Sequence, residues 1–183
     1  MPGSGGFACG TGVYRMARVN KRQLTPGAAE PSGPARAPRI VFIDDEPWFG
    51  EFGELLIARL FPEVMILAFR NRDTAWCELQ RSDPDLLITD MNNDNVPGRT
   101  ESFGMSGWEL LPLLARRQVR YPILVVSGSF SMPGVESRAR QCAGPELNAS
   151  FLTKPFSEEH FRREVTRLLG GGGGGQRVAR FRS

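Results

Sequence analysis

The segment RIVFIDDEP (residues 39–47) holds four consecutive apolar side chains, Ile40, Val41, Phe42 and Ile43, and then turns acidic at Asp44, Asp45 and Glu46. A short apolar run without alternation reads as a strand buried on both faces, the pattern of a parallel sheet covered by helices. Acid directly after it marks the edge where that sheet meets water.

The same grammar repeats down the chain. Residues 46–60 place Phe49, Phe52, Leu55, Leu56 and Leu60 at helical spacing, and Pro62 ends the helix. VMILAF (64–69) is a second strand, and residues 73–81 a second helix with Ala75, Trp76 and Leu79 inward. DLLITD (85–90) is a third strand, again ending in acid. Ser106 and Glu109 fit a capping box that opens a third helix through Leu114, with Pro112 in its first turns. YPILVVSG (121–128) is a fourth strand, and a weak helix is expected over 135–142. ASFLTKPF (149–156) is a fifth strand and turn, and Ser157, Glu158 and Glu159 open the last helix. Five apolar strands alternating with helices predict an α/β fold with a doubly wound parallel sheet.

Composition bounds the rest. The chain has 183 residues, 40% of them hydrophobic, enough for one domain with its own core. It lacks any apolar run of about 18 residues that would cross a membrane. It also lacks the apolar centre of a secretory signal. Cys9, Cys77 and Cys142 make neither a zinc spacing nor a disulfide framework, so a reducing, cytoplasmic setting is expected. Residues 1–38, rich in Gly, Pro, Ala and Ser, are expected to be a disordered leader, with Met16 as an alternative start. Residues 39–169 are the folded domain, and 170–183 a glycine-rich flexible basic tail. The tail carries no helix-turn-helix, so direct DNA binding is not expected. The formal net charge of +3 misleads: residues 40–170 carry 14 basic and 19 acidic side chains, and the surplus of positive charge lies in the two termini.

In a parallel sheet, ligands bind outside the carboxyl ends of the strands. Those ends hold Asp44, Asp45 and Glu46 on the first strand, Asp90 on the third, Ser127 and Gly128 on the fourth, and Lys154 on the fifth. Clustered carboxylates raise one another's pKa unless a cation joins them. An oxygen-seeking ion such as Mg²⁺ is the natural guest. With an ammonium and a hydroxyl alongside, the set suits a phosphoryl group in transfer. A carboxylate can accept that group as an acyl phosphate, and Asp90 is the best placed. Lys154 is the one lysine among thirteen arginines between residues 40 and 170, which sets it apart from background composition.

VFIDDEP, LLITDM, GWELL, ILVVSG and FLTKPF, in this order, resemble the receiver domain of response regulators in two-component signalling. The resemblance covers residues 39–169. It implies a flavodoxin-like five-stranded sheet of order 2-1-3-4-5. Asp90 then resembles the phosphoacceptor, which takes its phosphoryl group from a histidine kinase or phosphotransfer protein. Asp45 resembles the main acidic Mg²⁺ ligand, with Asp44 acting directly or through water, and Asn92 the position lending a backbone carbonyl to the metal. Lys154 resembles the lysine that pairs with a phosphoryl oxygen, and Pro155 the proline after it, usually reached through a cis bond. Ser127 resembles the switch hydroxyl and Phe151 the rotating aromatic. The implied protein is a stand-alone signalling domain, not an enzyme, with self-catalysed phosphoryl transfer and slow hydrolysis of the aspartyl phosphate, and its downstream target is not named by the residues.

The chain departs from that pattern in two places. Residues 91–106, between the third strand and the third helix, carry roughly nine extra residues against an ordinary connection of 2–6. The insertion either shields the acceptor, docks a partner, or is a tolerated surface loop. The stretch from Ser127 to Lys154 is also long for the family. A competing reading is a receiver-fold adaptor that docks without being phosphorylated. A phosphatase with an aspartate nucleophile would need an acid two residues after it, where Asn92 stands. A nucleotide-binding fold is excluded by DDEPWFG after the first strand, which would repel phosphate.

Overall fold

The computed structural model describes residues 36–91 and 105–170, without the side chains of residues 47–50. Five parallel strands run β1 Arg39–Ile43, β2 Met65–Phe69, β3 Leu86–Asp90, β4 Ile123–Ser127 and β5 Ala149–Thr153. Five helices alternate with them: α1 Pro47–Leu60, α2 Arg72–Arg81, α3 Gly107–Arg116, α4 Val135–Ala143 and α5 Glu158–Gly170. The sheet order is β2-β1-β3-β4-β5, the doubly wound arrangement expected. Every adjacent pair is parallel, and the registers pair Ile43 with Thr89, Asp90 with Val126, and Ser127 with Thr153. These pairings line up the carboxyl ends of β1, β3, β4 and β5 along one edge.

Strand side chains alternate between two apolar layers. Ile40, Phe42, Ile88, Leu124, Val126 and Leu152 pack against Leu56 and Ile57 of α1 and Phe161, Val165 and Leu168 of α5. Val41, Ile43, Leu87, Ile123 and Val125 pack on the other face against Ala75 and Leu79 of α2, Leu110, Leu111 and Leu114 of α3, and Ala139 of α4. Since both faces are covered, β3 and β4 are buried at every residue. That is why their sequences are continuously apolar.

Side-chain caps mark the starts of two helices, one of them the expected capping box. Ser106 Oγ accepts the Glu109 backbone N–H at 3.3 Å, and the Glu109 carboxylate accepts the Ser106 N–H at 2.8 Å, a complete capping box. The Asn71 side chain caps α2 by accepting the Thr74 N–H at 3.1 Å. After β4 the chain forms a 3-10 turn, Gly128–Ser131, followed by α4. The Lys154–Pro155 peptide is cis.

Pro112 is the sixth residue of α3, in its second turn. The α1 stripe is rotated from the one the spacing suggests: Gly53, Leu56 and Ile57 are buried, while Phe52 and Leu55 are 47% and 70% exposed. Gly53 is the cause, because a Cβ there would lie 2.5 Å from Phe42 Cζ, and its absence lets the helix settle on that ring. Contacts continue at both ends of the described domain. Arg36 pairs with Asp85 at 3.0 Å, the Pro38 carbonyl accepts the Met65 N–H, and α5 runs through Gly170. The remainder of the leader and tail, Asn92, and residues 93–104 of the insertion lie outside the described residues. No described helix is long and apolar enough to cross a membrane.

Candidate functional site

Asp44 and Asp45 follow β1 directly, and Asp90 ends β3, the central strand. One carboxylate oxygen from each lies within 4.8 Å of the others. Asp44 is 1% and Asp90 6% exposed. The expected triad is therefore assembled, and its donor set consists of hard oxygens, as Mg²⁺ requires. It brings three carboxylates, two of them buried, into a small space.

Lys154, just past β5, answers part of that charge. Its Nζ lies 2.9 Å from Asp44 Oδ2 and 2.9 Å from Asp90 Oδ1. The backbone aims it there, since the Lys154 N–H donates to the Ser127 carbonyl at 2.9 Å and extends the β4–β5 pairing by one residue. Burial pulls the ammonium down, but the Asp90 and Asp44 carboxylates outweigh it and hold Lys154 above its ordinary pKa. Asp44 moves the other way. Burial pushes its carboxyl up from 3.8 to about 6 against the attraction of Lys154, and the nearby Asp90 charge adds to the rise. The two partners differ because Lys154 has two carboxylates to pair with, whereas the deeply buried Asp44 shares its one cation with Asp90. A further cation among these oxygens would relieve the Asp44 charge, so the site fits a divalent ion both in donor chemistry and in unmet charge.

Ser127, the last residue of β4, is 2% exposed. Its Oγ accepts the Ser129 N–H at 3.1 Å and so caps the 3-10 turn that follows. Phe151 sits on β5 opposite Val125, half-buried. Its ring meets Phe130 edge-on at 5.8 Å, and the Arg140 guanidinium of α4 stacks over it at 4.5 Å. Ser127 and Phe130 thus belong to one short segment, and Phe151 is linked through Phe130 to the turn that Ser127 caps.

Two features of the site were not foreseen. Arg72, the first residue of α2, is buried, and its Nη2 donates to the Asp90 backbone carbonyl at 2.9 Å. The same nitrogen lies 3.6 Å from Asp45 Oδ1 and 3.8 Å from Asp90 Oδ2. A hint was present in the sequence: a cation opening a helix faces the positive end of its dipole and needs carboxylates nearby to be at ease. The second feature is how the insertion is anchored. Asp73 of α2 accepts the Met105 N–H, and Gly107 packs so closely on Met91 that a Cβ would lie 2.6 Å from the Met91 carbonyl oxygen. The chain therefore leaves β3 and re-enters at α3 side by side, next to the acidic cluster.

No protein-family model matches the sequence, and no curated protein matches it. Solved structures do. The protein is similar to the receiver domain of a signal transduction histidine kinase from Syntrophus aciditrophicus, at 23% identity and a TM-score of 0.59, over 78% of this chain and 98% of that one. It is similar to the receiver domain of a sensor histidine kinase from Pseudomonas aeruginosa, a structure with a magnesium ion coordinated in the active-site cleft. There the identity is 19% and the TM-score 0.57, over 73% of this chain and 98% of that one. A response regulator receiver domain from Francisella matches at 16% identity and a TM-score of 0.55, over 73% of this chain and 98% of that one. The described residues have the receiver-domain fold.

Proposed function

We propose that the protein is a phosphoacceptor receiver, in which Asp90 takes a phosphoryl group from the phosphohistidine of a histidine kinase or phosphotransfer protein in the cytoplasm. The observation that supports this most is the Asp90 carboxylate at the end of the central strand, beside two further acids and 2.9 Å from the Lys154 ammonium. An Asp90 carboxylate oxygen attacks phosphorus. The O–P bond forms, the donor N–P bond breaks, and the electron pair leaves on the imidazole nitrogen, which takes up a proton. The product is an acyl phosphate. Attack of water on phosphorus later returns the carboxylate and inorganic phosphate.

The residues share the work as follows. Asp44, Asp45 and Asp90, with the Asn92 backbone, would hold Mg²⁺, which when bound neutralises charge on the phosphoryl oxygens. Lys154 already touches Asp90 Oδ1, so its ammonium is at hand to pair with a phosphoryl oxygen as charge grows there. Ser127 gives up the Ser129 N–H when its hydroxyl turns to the phosphoryl group, which loosens the 3-10 turn. Phe130 in that turn then shifts against Phe151, and the change reaches the α4–β5 surface. The protein acts as a signalling domain and turns over no external substrate beyond its own phosphoryl group.

A second reading, docking without phosphorylation, has one observation in its favour: the Arg72 guanidinium already lies between Asp45 and Asp90. Incubation with Mg²⁺ and a small acyl-phosphate donor separates the two. The wild type should gain the mass of one phosphoryl group and the Asp90→Ala variant should not. Unchanged mass in both, under conditions that modify a known receiver, would sink the phosphoacceptor reading and leave docking.

A further inference from the structure

The proposed chemistry assigns tasks to Asp44, Asp45, Asp90, Lys154 and Ser127, and leaves one buried charge without one. The Arg72 side chain is only 6% exposed. Its single close bond goes to a backbone oxygen, that of Asp90, at 2.9 Å. Its distances to the carboxylates, 3.6 Å to Asp45 and 3.8 Å to Asp90, are too long for charge-assisted hydrogen bonds of about 2.7–2.9 Å. Its Nε–H finds no hydrogen-bond partner among the described residues. A buried arginine with an unpaired N–H, at the end of a helix that disfavours cations, is a poor device for stability. It does, however, place one positive charge between two of the three carboxylates that converge here.

The two cations divide Asp90 between them. Lys154 holds Oδ1, while Arg72 faces Oδ2 and, beside it, Asp45 Oδ1. Arg72 is thus a cation placed on the Asp45 side of Asp90.

We propose that Arg72 is a tethered cation that competes with the divalent ion for the Asp45–Asp90 pair, so that metal entry requires its guanidinium to withdraw. This rests on the phosphoacceptor reading and concerns what sets the metal dependence of that site. The physical reason is direct. A guanidinium and a divalent ion on the same two carboxylates repel each other strongly in a buried setting. The bond to the Asp90 carbonyl does not depend on the carboxylates, so it keeps Arg72 in place as a standing competitor. Metal affinity is thereby set low in the resting protein.

Calorimetric titration of the full chain with Mg²⁺, in wild type and in Arg72→Gln, tests this. The variant should bind Mg²⁺ at least about tenfold more tightly, because a unit charge near the ion has been removed. Arginine side-chain NMR on the wild type gives an independent reading should the variant fold poorly. The Arg72 Nε–H signal should move, and exchange faster with water, as Mg²⁺ saturates. Equal or weaker binding by Arg72→Gln, or an Arg72 signal unmoved at saturating Mg²⁺, overturns the competition and leaves the phosphoacceptor reading intact. Absence of Mg²⁺ binding in both proteins, together with an Asp90 that never gains a phosphoryl group, overturns that reading and the competition with it.

Discussion

Replacing Asp44 by asparagine should flatten the dependence of folding stability on pH. The wild-type carboxyl is 1% exposed, and its pKa is pushed up from 3.8 to about 6 by burial, against the pull of Lys154 and with a contribution from Asp90. An acid whose folded pKa lies above its unfolded value keeps its proton longer in the native state. Stability therefore falls as pH rises between the two values and is level above the higher one. From 3.8 to about 6, at 1.36 kcal/mol per pH unit, the loss comes to about 3 kcal/mol. Asp44→Asn keeps the shape and removes the titration. Urea unfolding of both proteins from about pH 4 to about pH 8, with chelator present, reads the effect of the cluster, because carboxylates distant from it cancel in the difference. The variant should gain on the wild type by about 2.5 kcal/mol across that range, the rest of the loss lying below about pH 4, and almost all of the gain comes below about pH 7. Saturating Mg²⁺ should shrink or reverse the trend, since the ion binds the ionised form. Parallel stability curves without metal would refute the reasoning, because they would mean that the buried charge costs nothing.

Lys154→Met should lower stability by about 3–5 kcal/mol at neutral pH without metal, since it takes from the buried Asp44 the ammonium that Asp44 shares with Asp90. Denaturant unfolding measures this, and a loss below about 1 kcal/mol would place the ammonium among solvated surface charges. Gly107→Ala should cost about 1–3 kcal/mol, because its Cβ meets backbone at Met91 that cannot give way easily. Gly128→Ala, with open space around the new Cβ, should stay within about 0.5 kcal/mol and serves as the control in the same thermal melts. Ser106→Ala removes the cap of α3 and should cost about 1 kcal/mol. An unchanged melting temperature there would mean that the cap contributes nothing beyond what water supplies.

By itself the sequence determined the strands, most helix boundaries and the parallel sheet. Each of these is written in local periodicity: apolar runs ending at Asp44, Asp90 and Ser127, the Ser106–Glu109 cap, and Pro62 after α1. The convergence of Asp44, Asp45, Asp90 and Lys154 was legible for a related reason, since a parallel sheet gathers its strand ends on one edge. The order of the strands came with the resemblance to receivers, not from the pattern. Tertiary structure alone decided which face of α1 is buried, because that depends on the Phe42 ring filling the space left open at Gly53. It alone decided the linkage of Phe151 to Phe130 and Arg140, and the side-by-side return of the insertion at Met91 and Gly107. Above all it decided that Arg72, one arginine among many, enters the acidic pocket. Periodicity records which side chains avoid water. It does not record which of several like charges is carried into a shared site, because that depends on the path of the β2–α2 turn across the sheet edge and on how burial strengthens whatever charges meet there.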